Sequence, residues 1–102
     1  MKTLHQVQRD LAGGRFEFSH HALHRVVERN IAEAEIKEAS EAAELIEDYP
    51  NDKYSPSGLL LGFTRAGRPL HIQVSFCESD NTKIITLYEP DSDEWVDNRK
   101  RR

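Results

Sequence analysis

The hydrophobic period of the chain changes near Leu45, and this constrains the fold more than any other feature. Before that point apolar residues recur at helical spacing; after it they alternate or run in short blocks closed by turn residues. Thr3 followed by Gln6 has the form of a capping box, and Leu4, Val7 and Leu11 follow at helical intervals until Gly13-Gly14 stops the helix. Arg15-Phe16-Glu17-Phe18 alternates for one brief strand. Ser19 then offers an N-cap to a second helix, with Ala22, Leu23, Val26 and Val27 as its apolar stripe and Asn30 as its stop. A third helix is predicted over roughly Ala32 to Ala43, presenting Ile36, Ala39 and Ala43 to a core.

Beyond the change of period, Leu45 to Tyr49 and Leu59 to Thr64 read as strands, with Pro50-Asn51-Asp52 as turn chemistry between them. Arg65-Ala66-Gly67-Arg68 is a hairpin-length connection. Pro69 to Cys77 alternates, with Leu70, Ile72, Val74 and Phe76 on one face and His71, Gln73, Ser75 and Cys77 on the other. Thr82 to Tyr88 is the last strong strand; past Pro90, Asp91 or Ser92 is expected to cap a short helix containing Trp95, and the basic end to fray. Strands joined by short turns pair antiparallel. The expected class is therefore α+β, N-terminal helices packed on one face of a four- to five-stranded, mainly antiparallel sheet. The face carrying His71, Gln73 and Ser75 is expected to stay open, as a binding surface.

The 102 residues suit one domain over 1–98, with a basic tail at 99–102. Fourteen basic against eighteen acidic residues give a formal −4, which argues against non-specific nucleic-acid binding. With the tail set aside the balance is −8, and nine of the acids fall between Glu28 and Asp52. No apolar run is long enough to span a bilayer, no secretory leader is read at the N-terminus, and the lone Cys77 has no internal disulfide partner. A cytoplasmic protein without membrane attachment is expected.

Two clusters could carry chemistry. His21, Arg25 and Arg29 are spaced by four and stack along one helical face. Guanidinium groups beside an imidazole favour its neutral, proton-accepting form, and arginine forks suit phosphate. The competing expectation pairs both arginines with Glu17, Glu28 or the acidic third helix. The second cluster joins Arg68 and His71 to Thr86 and Tyr88 on the neighbouring strand. A base, an acid and cations around a phosphate suffice for metal-free RNA cleavage. In the alternative, Tyr88 packs in the core and His71 is merely exposed. His20 and His24 have the i, i+4 spacing of a zinc site but lack a third ligand in sequence, and Gly13-Gly14 lacks a phosphate-loop context. No metal and no other cofactor are expected.

Ser19-His20-His21-Ala22, Arg25, Arg29-Asn30-Ile31, Leu61-Gly62, Gly67 to His71 and Ile85 to Tyr88 occur together, in an order that resembles the bacterial family called domain of unknown function 4258. The resemblance spans about Phe16 to Trp95. That family is similar to RelE-like and BrnT-like toxins, whose members are mRNA interferases, and its genes often neighbour a small zinc-finger antitoxin. The resemblance therefore implies a RelE-like fold and a metal-independent endoribonuclease of a toxin-antitoxin pair. In this reading His21, His71, Arg68 and Tyr88 are catalytic, Arg25, Arg29 and Thr86 hold RNA, and a zinc-finger antitoxin is the partner. Ala32 stands where the family commonly has Ser or Thr, and the net acidity is unlike toxins that grip ribosomal RNA. The alternative from another class is a non-catalytic protein-binding module with a degenerate toxin-like fold.

Overall fold

The computed structural model describes residues 1–53 and 55–102. Helix α1 (Leu4–Ala12) is followed by a short strand β1 (Phe16–Phe18) and by helices α2 (His20–Glu28) and α3 (Glu33–Ser40). Strands β2 (Glu44–Tyr49), β3 (Ser57–Phe63), β4 (Pro69–Ser75) and β5 (Thr82–Tyr88) then run in succession. The chain closes on β6 (Trp95–Val96) and β7 (Lys100–Arg101), which pair only with each other. The five-stranded sheet has the order β1-β5-β4-β3-β2, mixed because β1 runs parallel to β5 while the other neighbours are antiparallel. The class is α+β.

Local chemistry sets the helix boundaries. Gln6 N–H donates to Thr3 Oγ1 (3.2 Å) and Thr3 N–H to Gln6 Oε1 (2.8 Å), closing the capping box of α1. Ser19 Oγ accepts from Ala22 N–H at 3.0 Å and donates to Ile85 carbonyl at 2.6 Å, so the cap of α2 also ties the helix to β5. Asn30, at φ 53°, turns the chain into α3. Without a side-chain acceptor at Ala32, α3 keeps half a capping box, Ala32 N–H donating to Glu35 Oε1 at 2.9 Å.

The buried cluster joins Val7, Leu11, Ala22, Ile36 and Ala39 from the helices to Leu60, Leu70, Ile72, Val74, Ile84 and Leu87 from the sheet. Leu60, Ile72 and Leu87 are register partners across β3, β4 and β5 and share one face. Gly62 on β3 permits the closest approach: a Cβ there would lie 1.8 Å from the Ala39 carbonyl oxygen of α3. On α2, Ala22 is buried and Val26 half-buried, but Leu23 (50%) and Val27 (74%) stand in solvent. A four-residue stripe is too wide for this short helix, since residues 23 and 27 point about 100° away from 22 and 26.

The C-terminal segment departs furthest from expectation. Asp91 starts a single turn, accepting from Glu94 and Trp95 N–H, and Trp95 then opens a hairpin instead of sitting in a helix. Asp97 and Asn98 take φ of 52° and 63°, the mirror-image two-residue turn that suits strand twist, closed by Arg99 N–H to Val96 carbonyl at 3.0 Å. The basic end does not fray. Lys100–Arg101 forms β7, and Arg99 and Arg101 reach Glu44 and Glu47 on β2 at 2.6 and 2.9 Å.

Candidate functional site

His71 pairs with Tyr88 in the β4–β5 register, and Gln73 with Thr86, so His71, Thr86 and Tyr88 share the face opposite Ile72. That face is not left open at His71. The imidazole is 0% exposed, because Trp95 stands perpendicular to it with ring centroids 4.4 Å apart. Its Nε2 lies 2.5 Å from the Asn98 carbonyl oxygen. A carbonyl can only accept, so Nε2 carries the proton and Nδ1 is left to accept from the Tyr88 hydroxyl at 3.2 Å. Both ring nitrogens are thus consumed within the fold. Burial pushes His71 below the ordinary imidazole value and Tyr88 above the ordinary phenol value.

Arg68 is equally committed. Its Nε donates to Glu89 at 2.7 Å, Nη1 to Glu35 at 3.1 Å and to the Asn30 carbonyl at 3.3 Å, and Nη2 to the Arg29 carbonyl at 2.9 Å. It holds the carbonyls that follow α2, the first turn of α3 and the end of β5 together. One Nη2 hydrogen remains from the guanidinium's five.

Arg25 and Arg29 are placed differently. They line a cleft of about 290 Å³ with Tyr88, Glu89, Asp91 and Glu94. Among the described residues no ion pair closes on either arginine, although eighteen acids are spread through the chain. The expected pairing with Glu17, Glu28 or α3 does not occur; Glu35 is taken by Arg68, Glu33 by Lys37 and Glu41 by Arg65. The cleft is cationic at its helical wall and acidic at the wall built by the chain after β5. Tyr88 links the cleft to His71: the residue lines the first and its hydroxyl is bound to the second.

The sequence-derived set is therefore divided. Arg25, Arg29 and Tyr88 meet at one cleft, His71 lies behind Tyr88, and Arg68 reaches the same region only through Glu89 and the Arg29 carbonyl. His21 is exposed on α2 and outside the lining of the cleft, while Thr86 is half-buried beside Gln73. Among the described residues no group of three or more His, Cys, Asp or Glu side chains is arranged to hold a metal ion. No described helix is long and apolar enough to cross a membrane.

Sequence reasoning missed Trp95, Asn98 and Arg101 as parts of this site. Their signal was the Asp97-Asn98 pair, two residues that tolerate positive φ, set between Trp95-Val96 and Lys100-Arg101. Arg101 stacks over the indole at 4.7 Å and forms a two-bond fork with Glu47 at 2.9 and 3.1 Å, and Glu47 also accepts from the Tyr49 hydroxyl.

The family model described as Domain of unknown function (DUF4258) matches residues 18–89, which takes in α2, α3 and β2 to β5. No curated protein and no solved structure matches the chain. The matched segment stops at Glu89, short of Trp95 and Asn98, which cover His71.

Proposed function

The chain belongs to the DUF4258 family, and from that premise we propose a non-catalytic, cytoplasmic binding module on a RelE-like, toxin-like fold, its helices packed on one sheet face. Its docking site is the cleft at Arg25 and Arg29, and its partner is a protein segment, in the manner of an antitoxin, that presents one or two carboxylates. The observation that carries this reading is the unequal state of the candidate groups. Arg25 and Arg29 have no ion pair among the described residues, whereas both nitrogens of His71 are spent inside the fold. Two unpaired guanidinium groups are enough for a carboxylate pair. Glu89, Asp91 and Glu94 around the same cleft oppose a longer polyanion such as RNA.

The test is binding of a short acetylated glutamate peptide to the purified full chain by calorimetry, beside incubation with RNA. Saturable heat that disappears in Arg25→Ala and Arg29→Ala, with RNA left intact, is the expected result; RNA cleavage by the pure protein overturns it.

The convergence of Arg25, Arg29 and Tyr88 favours a second reading, the metal-independent endoribonuclease of a toxin-antitoxin pair. There the two arginines hold the scissile phosphate, and the Tyr88 phenol, kept protonated by its burial, serves as acid once its hydroxyl has left His71 Nδ1. Cleavage lost in Tyr88→Phe and arrest of bacterial growth on expression would establish it over the first.

A further inference from the structure

Residues 91–102 cover the His71 face of the sheet with the Trp95 indole and the Asn98 carbonyl, without a backbone ladder to the five-stranded sheet. No ladder joins β6 or β7 to β2, so the segment belongs to no continuous sheet. Its inner surface is Trp95, 3% exposed and the only tryptophan of the chain. Its outer anchors are Arg99 on Glu44 and the two-bond fork of Arg101 on Glu47, both with solvent-exposed guanidinium groups and so screened by salt. Such a segment sits at the low-stability end of a fold and can open while the rest stays closed.

The same segment also builds one wall of the arginine cleft. Asp91 and Glu94 face the space lined by Arg25 and Arg29. Asp91 is partly engaged, its Oδ1 accepting from Asp93 N–H at 2.9 Å, but Glu94 has no ion pair among the described residues. A carboxylate entering the cleft meets two attractive groups on α2 and two repulsive ones on the segment; the third carboxylate there, Glu89, is engaged by Arg68. It binds more tightly once the segment has moved away, and that differential affinity is what allows a ligand to shift a conformational equilibrium.

We infer that residues 91–102 are a releasable strap, and that a carboxylate ligand bound at Arg25 and Arg29 drives it open through Asp91 and Glu94, uncovering His71 and Tyr88. This rests on the reading of the cleft as a carboxylate-docking site and adds regulation to it. In the closed state the imidazole is sealed by Trp95 and its Nε2 hydrogen is held by Asn98. In the open state the imidazole–phenol pair faces water beside the bound partner. Binding and exposure of the pair are then one coupled event, and by linkage anything that loosens the strap tightens the ligand.

The lone tryptophan makes the movement readable in the full-length protein. Saturation with the acetylated glutamate peptide should shift Trp95 emission to the red and raise its quenching by acrylamide, and Arg25→Ala should abolish both changes. Glu94→Gln removes a repulsive group, so peptide affinity should rise by about fivefold or more while the fluorescence response shrinks. Saturable calorimetric binding with unchanged Trp95 emission overturns the coupling and leaves the docking reading standing. Absence of any binding overturns the docking reading and the coupling together, and a second variant then judges the strap itself. In Arg99→Ala/Arg101→Ala, Trp95 should become quenchable at temperatures where far-ultraviolet circular dichroism is still native. Loss of both signals in one transition overturns a separately releasable strap.

Discussion

Across the middle of the sheet, Leu60, Ile72 and Leu87 form one row and Leu61, His71 and Tyr88 form the next, on opposite faces. The first row belongs to a buried cluster with Val7 and Leu11 of α1 and Ile36 and Ala39 of α3. The second is sealed by one indole and one turn carbonyl at the chain's C-terminal end. Both rows are withdrawn from solvent, Tyr88 only by half, yet by different physics. An apolar row is non-directional and only needs area removed from water. A row containing an imidazole and a phenol needs every polar atom matched, and among the described residues no buried side-chain polar atom is left without a partner. The second face is therefore specific in geometry but thin in energy.

Truncation on the first face is expected to have the largest effect. Ile72→Ala removes a fully buried side chain between Leu60 and Leu87, and a core loss of this type costs about 2–5 kcal/mol. Urea unfolding followed by circular dichroism should show one cooperative transition at a lower midpoint. Trp95→Ala deletes a larger side chain, which in a continuous core costs about 3–5 kcal/mol. Here the cost is capped by what the strap contributes, and we expect about 2 kcal/mol or less, with the helix-side transition almost unmoved. A Trp95→Ala loss equal to or greater than that of Ile72→Ala would erase the distinction between the faces.

The histidine offers a finer probe, because only the second face titrates. Burial holds His71 below the ordinary imidazole value of 6.5. As the pH falls, the unfolded chain takes up this proton before the folded one does. The stability tied to neutral His71 is thus complete above about pH 6.5 and is lost as pH falls towards the folded-state value, with a slope of at most about 1.4 kcal/mol per pH unit. The imidazolium would have no lone pair at Nδ1 to accept from Tyr88. Denaturant midpoints between pH 8 and 5 should show this slope in the native protein and lose it in His71→Phe; equal slopes in the two would mean that His71 takes up its proton over the same pH range folded and unfolded.

How far the sequence could be read depends on the range of the interaction. Thr3 with Gln6, Ser19 with Ala22 and the positive φ of Gly14, Asn30 and Gly67 are contacts or conformations settled within a few residues, and all were legible. So was the alternation from Leu70 to Phe76, because a strand's parity is local. Which face would meet water was not, since the cover comes from residues more than twenty positions away. Arg68 illustrates the same limit. Its charge was visible, but its partners Glu35 and Glu89 lie 33 and 21 positions off and are chosen by the packing of α3 and β5. Arg25 and Arg29 kept the helical spacing read for them and were joined to Tyr88 by the fold. The Asp97-Asn98 turn was local and readable, but a helix cap at Asp91 competes for the same stretch, and one real turn there precedes the hairpin.

The smallest expected effect belongs to the ion pairs at the edge of the strap. Arg101→Ala removes a two-bond fork with Glu47 and a cation stacked over Trp95. Because the guanidinium is solvent-exposed, the loss of global stability should stay below about 1 kcal/mol and shrink further in high salt. The same substitution should act much more strongly on local opening: hydrogen exchange of the Arg99 and Arg102 amides, bonded to the Val96 and Glu94 carbonyls, should quicken while the amides of β4 keep their protection. The second face is then held by contacts whose removal the first face does not register. If β4 protection falls in step with the strap, the two faces unfold as one unit and the indole is simply another part of the core.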